Sequence, residues 1–404
     1  MTGSAAARRA WRGPALFAYG FRPFFLGAAC WAALAMALWL ATIAGHLALP
    51  SAFDPVAWHA HEFLFGYVGA AIAGFLLTAV PNWTGRLPIH GWPLAGLAAL
   101  WLAGRIAVAV SLHMPPSLVA AVDLALPLAL GAAMTREIVA GRNWRNLPVL
   151  ALLAVFAFAN GLFHAEAMQG LPAAQGHGLR LGLAVTMTMI ALIGGRIVPS
   201  FTRNWLARRG PGRLPAPPMA VFDRLAMLAL LVALALWVGA PDAAPTAIAL
   251  AIAAALHALR LGRWAGERTW AAPLLWILHA GYAFLPLGAA LLALAILAPE
   301  QVSAAAAQHA WMAGAAGTMT LAVMTRATRG HTGRALVADA GTTALYILLI
   351  VAVLARLAAG LWPAQAAMLH AVAGFGWIAA FAGFVAIYGP MLWRLSAGTG
   401  ARSP

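Results

Sequence analysis

The stretch "PVAWHAHEFLFGYVGAAIAGFLLTAV", residues 55–80, decides what kind of protein this is. From Phe63 onward it has the length and apolarity to cross a bilayer, whose hydrocarbon core of about 30 Å takes about 20 helical residues. Its first turns nevertheless carry His59, His61 and Glu62. Polar groups at the mouth of a span are costly unless they are paired or hold something.

The same apolar pattern recurs along the chain. Runs of span length occupy 24–45, 56–80, 93–112, 115–134, 147–167, 178–200, 220–239, 244–262, 273–297, 304–326, 341–360 and 363–390. Of the 404 residues, 63% are hydrophobic and 9% charged, a composition that only lipid can solvate. No polar stretch is long enough for a separate soluble domain. The expected fold is an all-α membrane protein, a single polytopic domain over 1–404 with twelve transmembrane helices.

The net charge of +15 is carried by arginine alone, since the chain has no lysine. Arg8, Arg9, Arg12 and Arg22 precede the first run. Arg136, Arg142 and Arg145 follow the fourth, and Arg203, Arg208, Arg209 and Arg213 the sixth. Arg260, Arg263 and Arg268 follow the eighth, and Arg326, Arg329 and Arg334 the tenth. Basic loops stay in the cytoplasm, so both termini and the even-numbered loops are expected there. This is a topology signal, and no basic domain is left to bind nucleic acid. The first apolar run is of full span length and continues into the bundle, so no cleaved signal is expected. Cys30 is the sole cysteine. That excludes disulfides, all-cysteine iron–sulfur sites and covalent C-x-x-C-H haem attachment.

An internal repeat of about 125 residues is visible. Pro23, Pro148 and Pro273 each open a span, where the missing N–H costs nothing. "AGRNWRNLP" (140–148) parallels "AGERTWAAP" (265–273). The second span of each unit opens on a histidine: His59, His177 or His309. Those spans end on "VPNWTGRL", "VPSFTRNW" and "RGHTGRAL". The reading is three pseudo-symmetric four-helix repeats, about 20–145, 146–270 and 271–395, of the kind that converges on a central site.

At a rise of about 1.5 Å per residue, six of the twelve histidines fall in one layer near the outer surface: His59, His61, His164, His177, His309 and His370. Imidazole is the most versatile side-chain ligand for transition metals and haem iron. A lone histidine in a span is usually a packing residue; six in one layer point to ligation. His59 and His61, two residues apart, point about 200° apart on a helix and so serve two different neighbours. Glu62, three residues past His59, is placed to orient an imidazole N–H, and a solvated cap at the helix start is the alternative reading. Small residues below His59, His309 and His370 suit a flat macrocycle, although close helix packing uses the same residues. Arg105 and Asp123 lie at similar depth across the connection "HMPP" and read as an ion pair, with a haem propionate partner as the functional alternative. His257 and His279 read as an inner polar contact, and His90 and His331 as loop residues.

The segments "GFRPFFLGA" (20–28), "WHAHEFLFGYVGAAIAGFLLTAVPNWTGR" (58–86), "GGRIVPSFTRNW" (194–205) and "GTMTLAVMTRATRGHTGR" (317–334) closely resemble the NnrS family of bacterial membrane proteins. The likeness runs from about Gly20 to Leu392. His59, His61 and Glu62 fall inside the family's most recognisable motif, and the resemblance also marks Arg196, His309 and His331. It implies a haem- and copper-containing protein of the bacterial inner (cytoplasmic) membrane, linked to nitric oxide metabolism and nitrosative stress. A looser likeness to haem–copper oxidases and nitric oxide reductases concerns architecture. No span-seven histidine exists for copper, and His-x-His lies in span two rather than ten.

The resulting expectation is a protein that binds or reduces nitric oxide at a centre near the periplasm. Non-covalent b-type haem would sit between His59 and His309. His61 would serve a second centre, copper or another haem, with His164, His177 or His370. Electrons for an oxidoreductase would come from a quinol or a redox protein. A secondary transporter, or a haem or NO sensor or carrier without turnover, is the alternative.

Overall fold

A computed structural model describes residues 11–86 and 88–394. Arg8, Arg9 and both chain ends, whose cytoplasmic side is expected from sequence, lie outside the described residues. All regular structure among the described residues is helical. Eleven helices are long and apolar enough to cross a membrane: α1 Phe21–Ile43, α2 Pro55–Thr84, α3 Trp92–Ala109, α4 Pro116–Ala140, α5 Trp144–Met168, α6 His177–Leu206, α7 Val221–Gly239, α8 Ala244–Arg268, α9 Pro273–Leu297, α11 Ala340–Ala359 and α12 Pro363–Trp393. Between α9 and α11, residues 304–331 form one further continuous helical run, α10. It is long enough, but Gln308, His309 and a series of threonines dilute its apolar character. The chain is thus an all-α, multi-pass membrane protein with twelve helices at the expected places.

Local chemistry explains the helix ends. Asp54 caps α2, its Oδ1 accepting from Val56 N (2.9 Å) and Ala57 N (3.0 Å), with Pro55 in the first turn. Glu166, near the end of α5, accepts from the free N–H groups of His177 (2.7 Å) and Gly178 (3.1 Å) at the start of α6. Arg22 donates to the carbonyls of Leu392 (2.8 Å) and Arg394 (3.1 Å), which end α12.

The chain divides into two compact units. Among the described residues, the first holds 11–86, 88–182, 324–335 and 381–394; the second holds 183–323 and 336–380. In the first, α1 packs on α2, α3 on α4 and α4 on α5; in the second, α7 packs on α8, α8 on α9 and α9 on α10.

Three helices widen into π-helical turns: α2 at Glu62–Val68, α6 at Ile190–Gly194 and α10 at Ala310–Gly317. Such turns weaken the regular ladder and leave carbonyls to outside donors. Gly66 O takes the indole N–H of Trp101 (3.0 Å), and Ala191 O takes Arg260 Nη1 (2.9 Å).

Candidate functional site

The widened turn of α2 begins one residue after His61, and this geometry builds the site. His61 and Glu62 are fully buried in the first unit, beside Arg105 of α3, Asp123 of α4, and Asn160 and His164 of α5. His61 Nδ1–H donates to Glu62 Oε1 at 3.0 Å. Its Nε2 faces Asn160 Oδ1 at 3.0 Å and Asp123 Oδ2 at 3.2 Å. His164 Nε2 approaches the same Asp123 oxygen at 3.1 Å, and Asn160 Nδ2 donates to it at 2.8 Å. Arg105 bridges the carboxylates, donating from Nη1 to Glu62 Oε1 (2.5 Å) and from Nη2 to Asp123 Oδ1.

The rings of Phe53, Phe65 and Phe163 lie 5.2–5.3 Å from the His61 ring, centroid to centroid, and keep the cluster dry. Isolated charges would be very costly here. Two carboxylates held by a guanidinium, with an imidazole between them, compensate each other.

His61, Asp123 and His164 each offer one ligand atom, and these atoms lie within 4.8 Å of one another. Two donors bound to one metal ion at about 2.0–2.1 Å with tetrahedral geometry lie about 3.3 Å apart. The spacings of 3.1 and 3.2 Å around Asp123 Oδ2 match that requirement. Glu62 on Nδ1 holds His61 with Nε2 turned inward, the usual outer support of a histidine ligand. The residues therefore fit a single metal ion. A haem macrocycle does not fit at this cluster. The cavity beside it, lined among others by Asp123, Asn160 and Arg105, has a volume of about 20 Å³, room for about one water.

Gly66 keeps the cluster closed-packed. A Cβ there would lie 2.6 Å from Arg105 Nη1, 3.0 Å from Trp31 Nε1 and 3.1 Å from Glu62 Oε2. Gly66→Ala is expected to push Arg105 off Glu62 and to cost about 1–3 kcal/mol, read as a lowered Tm in detergent. A wild-type Tm in that variant would mean that the guanidinium is not held against Gly66.

The other sequence-predicted residues have separate places. His59 points away from His61, as the spacing of two requires; its half-buried ring stacks on Trp39 at 4.4 Å and meets Phe63 at 4.6 Å. Glu62 lies against its sequence neighbour His61 rather than His59, its Oε1 taking His61 Nδ1–H at 3.0 Å. His177 is 58% exposed and 3.5 Å from Glu166 at the start of α6, outside the cluster. His309 belongs to the second unit, donating from Nδ1 to Ala305 O at 2.7 Å, and His370 of the same unit is exposed. His90 bonds Pro88 O within its loop (3.0 Å), whereas His331, expected in a loop, is the last helical residue of α10, beside the rings of Tyr19 and Phe21.

Sequence reasoning missed Asn160 and placed Asp123 with Arg105 rather than with the histidines. The available signal was the pair Asn160 and His164, four apart on one face of an otherwise apolar helix.

A second buried network lies in the second unit. Arg260 Nε donates to Asp223 Oδ1 at 2.7 Å, and its Nη1 donates to Tyr282 Oη at 2.9 Å. His257 Nε2–H donates to Ala226 O (3.1 Å), which leaves Nδ1 to accept the Tyr282 hydroxyl (2.8 Å). The expected contact between His257 and His279 is not made. Hydroxyls compete for both rings: Tyr282 takes His257, and Thr202 Oγ1 meets His279 Nε2 at 2.9 Å.

Fold and cluster together define a polytopic helical membrane protein with a buried candidate metal centre of two histidines and one carboxylate. The family model described as NnrS protein matches residues 15–395, nearly the whole chain. The chain belongs to the NnrS family. A comparison with curated proteins finds no match.

Proposed function

We propose that this protein is a metal-dependent component of bacterial nitric oxide metabolism, with its reactive centre at His61, Asp123 and His164. The convergence of these three ligand atoms in a dry, charge-balanced site carries the reading. Family membership supports the link to nitric oxide. Imidazole and carboxylate donors without thiolate suit a copper or iron ion. Such an ion would supply a coordination position for nitric oxide and a one-electron couple.

The chain's own residues prepare that position. His61 and His164 present Nε2, and Asp123 presents Oδ2. Glu62 fixes the His61 tautomer, while Arg105 holds both carboxylates in register. Asn160 donates to Asp123 and faces His61 Nε2, which sets the spacing of the two. The three phenylalanine rings exclude water and strengthen every electrostatic contact inside.

Haem belongs to a separate part of the proposal. It cannot share the cluster, and His59 and His309 are its ligands inferred from sequence. The arginine pattern orients the chain with both termini in the cytoplasm of the inner membrane and the cluster toward the periplasm. The threefold repeat is part of the same reading. It is supported by π-helical turns in the second helix of each repeat.

Metal analysis of the purified protein tests the proposal. The expected result is copper or iron near one equivalent in the wild type and at least about tenfold less in His164→Ala, in line with the loss of one ligand. A metal-free wild-type protein that takes up neither ion would overturn it. Retention of the Tm in His164→Ala would show that the metal loss is not unfolding.

A further inference from the structure

An apolar groove on the outside of the helices adjoins the small cavity beside the cluster. Between α4 and α5 runs a groove of about 830 Å³ lined almost entirely by apolar side chains. Leu128 and Phe158, at its sides, are 61% and 65% exposed. These residues sit well inside apolar spans, so the groove faces hydrocarbon. Pro127 and Leu153 line both this groove and the cavity of about 20 Å³ that touches Asp123 and Asn160. Pro127 and Leu153 therefore stand between the groove and that cavity.

Pro127 weakens this wall in a second way. Lacking an N–H, it cannot bond the carbonyl four residues earlier, which belongs to Asp123. The helix is thereby loosened at the level of the candidate ligand.

We propose that this groove admits small apolar diatomic gases from the bilayer to the metal cluster, with Leu153 and Pro127 as the inner gate. The inference rests on the proposed metal centre and names its ligand class and its direction of approach. Such gases concentrate in hydrocarbon relative to water, so a mouth in lipid raises their local supply. The route also suits them by exclusion. Its apolar lining offers nothing to an ion, and the cavity at its end is too small for a larger solute.

The test uses xenon as an apolar probe that needs no metal, followed by nitric oxide. Gly161→Leu and Gly131→Leu put side chains into the groove without backbone strain. A Cβ at Gly161 meets only Leu124 Cδ1, at 3.6 Å, and one at Gly131 meets nothing within 4 Å. Xenon should be detected beside Leu153 in the wild type, by pressurised crystals or xenon NMR, and should be lost in both variants. In the metal-loaded protein, stopped-flow association of nitric oxide should slow by about tenfold or more, within the range over which on-rates at one site vary. Leu153→Ala should speed it. Absence of xenon from wild-type protein, or unchanged association rates in both leucine variants at wild-type metal content, would overturn the route. A metal-free wild type that still takes up xenon would instead overturn the proposed centre and leave the route standing.

Discussion

Asp123→Ala is expected to abolish metal binding and to destabilise the first unit in one step. The carboxylate serves two functions with its two oxygens. Oδ2 meets both candidate histidine ligands and Asn160, and Oδ1 accepts from Arg105. Truncation leaves the 3%-exposed Arg105 with Glu62 as its only remaining carboxylate and strands the Asn160 amide. Breaking a buried pair from one side costs about 3–5 kcal/mol. Asp123→Asn separates the two functions. It keeps the shape and can still pair with neighbours, so a smaller stability loss is expected, but its neutral amide is a poor metal ligand. Metal content and unfolding in detergent, measured on both variants, check the expectation. Full metal content in Asp123→Ala would remove the carboxylate from the ligand set.

The contrast between Arg105 and Asn160 shows what the sequence carries. Opposite charges at similar depth in adjacent spans have few other partners, so the Arg105–Asp123 pair is legible without coordinates. A neutral amide such as Asn160 can be satisfied by its own helix or by a neighbour, and nothing in the sequence tells these apart. The twelve helices are legible for a similarly strong reason, because burial in lipid demands long apolar runs with internally paired backbone. Register is harder. Helical spacing puts Glu62 on the face of His59, but it does not show that the adjacent His61 takes the carboxylate through Nδ1. Depth alone grouped six histidines, whereas rotation about each helix decided that only His61 and His164 share Asp123. His257 and His279 fall to the same difficulty, since hydroxyls on facing helices are as good partners as a second imidazole.

Arg260→Ala is expected to destabilise the second unit by about 3–5 kcal/mol, the cost of leaving one member of a buried pair uncompensated. Arg260 is fully buried and Asp223 is 3% exposed, and their bond at 2.7 Å accounts for both charges. The guanidinium also satisfies Ala191 O at the π-helical turn of α6 and packs where a Cβ on Gly195 would lie 2.2 Å from Nη2. The loss therefore has an electrostatic part and a backbone part, and a double variant separates them. Asp223→Leu with Arg260→Met replaces the pair by apolar side chains, an exchange that is often neutral or stabilising elsewhere. If the unpaired carboxylate dominates, the double variant recovers most of the Tm lost in Arg260→Ala. If it stays as unstable as the single variant, the guanidinium is needed mainly for the carbonyl that the widened turn releases. That outcome would make the arginine a condition for the π-helical turn in α6. Gly66 and Arg105 at the corresponding turn of α2 show the same contact of guanidinium on glycine beside a π-helical segment. The same double-variant logic could not be applied there without losing the candidate ligand Asp123, which is why the second unit is the place to measure it.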